Sequence, residues 1–333
     1  MRELTGLIGR DELVLQIARE VRKGRHVLLT GPAGLGKSAV LEAVIARIER
    51  RGAAGEAEET DPAEPAPWRD SRANRRRLVI HIVEHQTKAQ FVAIARRLLE
   101  AGLVKPSALE LARSYDAMDP REIEWARIKR NVNRLSIRDL AEAIIPAIHG
   151  YEGRVIIAVD DLTGLTPTLV AFWLSVLDSA QFLGCATEKR KNLAKLWWKM
   201  TTIEVPPLSP QAARDIVQGY IRGAGLLIEA PDLFINHVVQ QANGNPRAMA
   251  DMLTDSSKER VVDKRRIREM KHAAGVRYLD FTPVVMIGTA CIIGARYLAM
   301  GTGDKALYIV AGMLAAVIVS VRFLLFRGAG KAD

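Results

Sequence analysis

The stretch HVLLTGPAGLGKSAV constrains the chain more than any other. The apolar run His26–Thr30 reads as a short buried strand, and a helical apolar period opens at Ser38 and runs to about Arg51. Between them Gly31, Gly36, Lys37 and Ser38 fit the spacing GxxxxGK[ST], with Pro32, Ala33, Gly34 and Leu35 inside the loop and Ala39 in the first helical turn. Glycines at this spacing let consecutive backbone N–H groups curl around an anion, and the helix N-terminus adds the positive end of its dipole. In that arrangement Lys37 reaches the β- and γ-phosphates of a nucleoside triphosphate, and the Ser38 hydroxyl holds Mg2+. The alternative is a plain glycine turn before a helix, but the strand and helix flanks favour phosphate binding.

A chain of 333 residues can bury a full core and hold two or three structural units. Cys185 and Cys291 stand far apart in unlike contexts, with neither a disulfide framework nor a metal-ligand spacing, which suits a reducing cytoplasm. MRELTGLIGRDELVLQ is charged and has no apolar core region, so no secretory signal is expected. A net charge of +10 suggests nucleic acid, but residues 258–280 carry +4 and residues 281–333 carry +3 of it. The first 257 residues hold only the remaining +3, so a nucleic-acid partner is not expected.

Two apolar runs close the sequence, Phe281–Met300 and Ala306–Phe326, of 20 and 21 residues. Each has the length of a helix that crosses a hydrocarbon core of roughly 30 Å. Each has one charge near an end, Arg296 or Arg322, where the side chain can snorkel. The connector GTGDK is short, so the pair reads as a transmembrane hairpin over 281–327. Basic residues flank its outer ends, which puts both termini in the cytoplasm. The expected partner is then a lipid bilayer and the expected place a multi-pass position in the inner (cytoplasmic) membrane. A buried hairpin in a large soluble core is the alternative. Residues 258–280 read as a basic juxtamembrane neck or as a solvated helix closing the preceding domain, and residues 328–333 as a cytoplasmic tail.

A phosphate loop needs a carboxylate near the metal. In RVIIAVDDLTGL the run Val155–Val159 suits a central parallel strand, with Asp160 and Asp161 at its C-terminal end. Asp160 fits the metal-associated acid and Asp161 the acid that polarises an attacking water.

With these motifs in hand the chain resembles an AAA+-type ATPase, nearest the origin-recognition-like and STAND groups. GPAGLGKS resembles the Walker A motif and VIIAVDD the Walker B motif. LIGRDEL resembles the motif that lies against adenine, implying Ile8, Gly9 and Arg10. QFLGCATE resembles the strand that carries sensor 1, implying Thr187. IEVPPLSPQAARDIV resembles the junction into a helical lid, and GNPRAMADML the sensor 2 helix, implying that Arg247 reaches the γ-phosphate. Together these stretches span about residues 5–257. The resemblance implies ATP and Mg2+ as cofactors and a homo-oligomer. Two departures bear on rate. Most relatives have Glu where Asp161 stands, and the shorter arm implies slow or switch-like hydrolysis. Where relatives place an arginine finger this chain has Lys199, with Arg190 upstream, and a lysine lacks the planar fork.

The expected architecture is a P-loop NTPase, a three-layer α/β domain with a parallel five-stranded sheet over residues 1–207 and a helical lid over 208–257. Residues 51–76, rich in Ala, Glu and Pro, read as a flexible surface insertion. Trp173, Trp197 and Trp198 read as core or lid contacts, and His81 and His85 as packing or surface residues. The leading expectation is a membrane-anchored ATPase that couples nucleotide state to oligomerisation or to a membrane or protein-partner event. A slow or non-hydrolysing ATP switch in signalling or defence is the alternative, and a DNA-associated ATPase ranks below both.

Overall fold

Five strands form one sheet, and all its ladders are parallel. The computed structural model describes residues 7–53, 77–224, 227–258, 263, 265, 267, 282–303, 305, 306 and 308–314. The strands are β1 (His26–Thr30), β2 (Arg77–Ile82), β3 (Arg154–Val159), β4 (Ala180–Ala186) and β5 (Met200–Glu204), in the order β2-β3-β4-β1-β5. Thr30 is in register with Ala186, and Val159 with Gly184. The segments that follow β1, β3 and β4 therefore emerge side by side at one end of the sheet, the end where open α/β sheets hold ligands.

Near-continuous apolar strands are needed because both sheet faces are covered. Leu28, Ile80, Ile82, Val155, Ile157 and Phe182 face one core. Their neighbours Val27, Leu29, Val79, Ile156, Leu183 and Cys185 face the other. Helices α1 (Asp11–Arg22) and α2 (Lys37–Ala53) cover the second face with Ile17, Val21, Leu41 and Val44. The first face is covered by α3 (Thr87–Glu100), α5 (Ile137–His149) and α6 (Pro167–Val176); the short α4 (Trp125–Val132) lies between α3 and α5, and α7 (Ala194–Trp197) follows α6. Ser136 starts α5 with a capping box: its Oγ accepts from Asp139 N at 3.2 Å, and Asp139 Oδ2 accepts from Ser136 N at 2.9 Å. Between α3 and α5 no element is expected from the sequence. There the chain makes three 3-10 turns and α4, which send Leu109, Ile123, Ile128 and Val132 into the first core.

The lid consists of α8 (Pro210–Ala224), α9 (Pro231–Ala242) and α10 (Pro246–Ser256), closed around Ala213, Val217, Phe234, Val238, Met249 and Leu253. Ile267, expected in the juxtamembrane neck, is fully buried in this same cluster. Ile267 itself therefore packs with the lid. Trp173 and Trp197 are core residues as expected, but Trp198 is 82% exposed, against expectation. The expected insertion at 51–76 lies, from residue 54 on, outside the described residues.

Residues 276–333 form a second compact unit. Its helix α11 (Thr282–Thr302) extends past Arg296, which therefore sits within the helix and not at its end. Arg296 Nη2 donates to Tyr308 Oη at 2.6 Å, and its guanidinium lies 4.7 Å from the Tyr308 ring centroid. The rest of the second apolar run, beyond residue 314, lies outside the described residues. Among the described residues no helix is long and apolar enough to cross a membrane, so the structure does not support the expected hairpin.

Candidate nucleotide site

The loop after β1 takes the shape its glycines allow. Gly34 has φ +82° and Gly36 φ +80°, a region that side chains other than glycine rarely enter. Leu35 turns inward and is buried, while Ser38 and Ala39 are exposed in the first turn of α2. Lys37 folds back over the loop, its Nζ donating to Gly31 O at 2.8 Å and Pro32 O at 2.9 Å. Burial lowers the Lys37 pKa from its ordinary value, with Cys185 and Asp161 acting in the opposite sense.

The lid touches this loop directly. Asn245 caps α10, its Oδ1 accepting from Arg247 N at 3.0 Å and Ala248 N at 3.3 Å. Its Nδ2 donates to Ala33 O at 3.0 Å, and Arg247 N also lies 3.2 Å from Gly34 O. The fit is close: a Cβ on Gly34 would stand 2.6 Å from Asn245 Oδ1 and 2.9 Å from the Arg247 Cβ. The Arg247 side chain, expected at the γ-phosphate, instead pairs along the helix with Asp251 at 3.1 Å. Its backbone, not its guanidinium, meets the loop.

The motif expected against adenine joins core to lid. Leu7 packs on the core and Ile8 on the lid, while Gly9, at φ +74°, lies so close to Ala212 that a Cβ would stand 2.8 Å from the Ala212 Cβ. Arg10 is 5% exposed and donates from Nη2 to Pro206 O at 3.0 Å. Its Nη1 is buried and has no protein partner, near where a Cβ on Gly36 would sit, and burial lowers the Arg10 pKa.

Asp160 and Asp161 follow β3 as expected. Asp160 Oδ1 is 2.9 Å from His81 Nε2, and this hydrogen bond raises the His81 pKa above its ordinary value. His81 was read as packing or surface, and the missing signal was register: strand pairing brings it beside an acid 79 residues on. Asp161 Oδ1 accepts from Thr163 N at 2.8 Å, and Thr187, after β4, bonds to Thr163. Cys185, under both acids, has its thiol pushed up to about 12, first by burial. Lys199 does not join this group. It precedes β5, whose Met200 pairs with His26 at the opposite end of the sheet, and it forms an exposed ion pair with Asp178 at 3.0 Å. Arg190 pairs with Glu188 at 3.1 Å.

The donor set suits a triphosphate with its metal. The glycine loop, Lys37 and the partnerless Arg10 nitrogen offer donors and positive charge to an anion. Ser38 and Asp160 offer hard oxygens, which match Mg2+ arriving on phosphates. Among the described residues no three His, Cys, Asp or Glu side chains form a metal cage of their own.

Comparison with solved structures finds loose matches at TM-scores below one half. The RuvB Holliday junction branch migration motor of Thermotoga maritima is 15% identical, with 90% of this chain and 84% of that chain covered, at TM-score 0.39. A Walker-type ATPase of Pyrococcus abyssi is 13% identical, with 91% and 77% covered, at 0.42. Domain III of the Thermotoga maritima replication initiation protein DnaA is 13% identical, with 78% and 89% covered, at 0.41. No curated protein matches the chain. The pattern of the AAA ATPase domain matches residues 6–219, more than half of the sequence, and the chain belongs to that family.

Proposed function

We propose that the protein binds Mg-ATP at the loop Gly31–Ser38 and hydrolyses it, with the lid reporting which nucleotide is bound. The observation that carries this reading is the pair of bonds from Asn245 and Arg247 to the carbonyls of Ala33 and Gly34. A loop that rearranges around phosphate must break or re-form those bonds, so binding moves the lid. Lys37 would leave the Gly31 and Pro32 carbonyls for the phosphates, and Arg247 would leave Asp251. Ser38 and Asp160 would hold the metal, Asp161 would orient water, and Thr187 would sense the phosphate. Steady ATP hydrolysis by the purified protein, abolished in Lys37→Ala and in Asp161→Asn, tests the assignment. Undiminished turnover in both variants refutes it.

A second reading is a slow switch that holds ATP without rapid turnover. The short Asp161 side chain, already accepting from the Thr163 amide, supports it. Nucleotide that stays bound through purification, with negligible turnover, would select this reading. Self-assembly is proposed from the family resemblance, and the exposed Trp198 supports it. Placement at the cytoplasmic membrane is proposed from the apolar runs, with exposed Ile287, Leu298, Ile309 and Met313 in support. Recovery of the full chain in the carbonate-washed soluble fraction would overturn that placement.

A further inference from the structure

Asp161 follows β3 and Thr187 follows β4, so the proposed water-orienting acid and the proposed phosphate sensor stand on separate strand tips. One buried residue joins them. The chain after β3 turns back across β4: Leu162 N donates to Cys185 O at 2.8 Å, and the Leu162 side chain presses on Gly184, where no Cβ would fit. That turn sets Thr163, only 9% exposed, beside Thr187. Thr163 Oγ1 accepts from Thr187 N at 3.0 Å and lies 3.0 Å from Thr187 Oγ1, while Thr163 N donates to Asp161 Oδ1 at 2.8 Å.

The proton count gives this cluster a direction. A hydroxyl has one proton and two lone pairs. With one lone pair of Thr163 filled by the Thr187 amide, donation from Thr163 to Thr187 Oγ1 also places its proton, so the buried hydroxyl both donates and accepts. The Thr187 proton is then left to point away from Thr163, available to a phosphate oxygen or a water. In the reverse arrangement the buried Thr163 proton needs a further acceptor, and it meets none among the described residues. An unbonded buried hydroxyl is disfavoured.

We propose that Thr163 is a positioning residue that couples Thr187 to Asp161. Its hydroxyl aims the Thr187 proton outward, and its amide fixes the Asp161 carboxylate, so a shift at either tip moves the other. The proposal rests on the ATPase reading above and adds to it a physical link between sensing the phosphate and orienting the water.

The test compares Thr163→Val, Thr163→Ser, Thr187→Val and the double Val variant in the full chain. The readouts are melting temperature, ATP and ADP affinity by calorimetry, and kcat and KM. Thr163→Val is expected to bind ADP as the parent does, to lose the preference for ATP over ADP, and to lower kcat by about 10-fold or more with a smaller change in KM. Thr163→Ser should restore both the preference and kcat. The double variant should resemble either single one, since the two residues act as a unit. If Thr163→Val melts early, Thr163→Cys, similar in size and only a weak donor, takes its place. The proposal is overturned if Ser fails as Val does, if the two Val substitutions multiply, or if Thr163→Val is indistinguishable from the parent. A parent that binds but does not turn over ATP refutes only the hydrolysis reading, and the ATP-to-ADP affinity ratio then decides on Thr163. A parent that binds no nucleotide refutes both.

Discussion

Replacing Asn245 separates two roles that one side chain now combines. Asn245→Ala removes the cap of α10, a loss of about 0.5–2 kcal/mol. It also removes the bond from Nδ2 to Ala33 O, worth about 1 kcal/mol net and less here because the site is partly open to water. Together the losses amount to about 2 kcal/mol. For a cooperative unit of this size that lowers Tm by about 4–8 °C. Asn245→Asp keeps the acceptor for Arg247 N and Ala248 N but turns the donor into a carboxylate facing the Ala33 carbonyl. It should lose about half as much stability, yet it should detach the lid from the loop as fully. Thermal melts without nucleotide read the first effect. The dissociation rate of a fluorescent ADP analogue reads the second, and it should rise in both variants. If Asn245→Ala melts within 1 °C of the parent and releases ADP at the same rate, the lid is not held by this residue and the reasoning fails.

Gly34→Ala should act through the same seam. The new Cβ meets Asn245 and the Arg247 Cβ at distances real contacts do not reach, so nucleotide-free protein should show a more open lid by small-angle scattering; an unchanged profile would contradict this. Gly184→Ala sets a methyl against Leu162 and should reduce expression or lower Tm by several degrees, whereas a parent-like melt would mean that the turn after β3 can shift freely. His26 Nδ1 accepts from Phe182 N at 3.1 Å, and burial holds the His26 pKa below its ordinary 6.5. The folded state therefore favours neutral His26, so its contribution is whole above pH 6.5 and lost as pH falls through the lower folded value. His26→Asn, an acceptor that does not titrate, should flatten part of the fall in Tm between pH 7.5 and 5.5, and parallel curves for the two proteins would refute this.

What was legible in the sequence was what local spacing encodes. The glycine loop, its flanking strand and helix, and the central strands β3 and β4 announce themselves within a few residues, because a central parallel strand covered on both faces is apolar nearly throughout. Asp160 and Asp161 follow from their place at the end of β3, and the GNPR stretch at the start of α10 was marked by its family resemblance. The features that escaped depend on contacts between distant residues. His81 meets Asp160, and Thr163 meets Thr187, only once strand register is known. The Leu103–Leu135 region has no long helical period because its buried residues are spread over one 3-10 turn, the short α4 and the connections between them. Trp198 and Trp197 are neighbours with opposite fates, since α7 ends between them and only one ring faces the core. Ile267 looked like part of a charged neck because its company in sequence is basic, yet its company in space is the lid core.

The central claim is that Lys37 and its loop bind ATP, and calorimetric titration of Mg-ATP into the parent and into Lys37→Ala tests it most directly. A charged donor lost from a phosphate is worth about 1.5–3 kcal/mol, so the account predicts saturable binding by the parent, weakened about 10- to 100-fold in Lys37→Ala. Equal affinity in the two proteins, or no ATP binding by the parent, would contradict it.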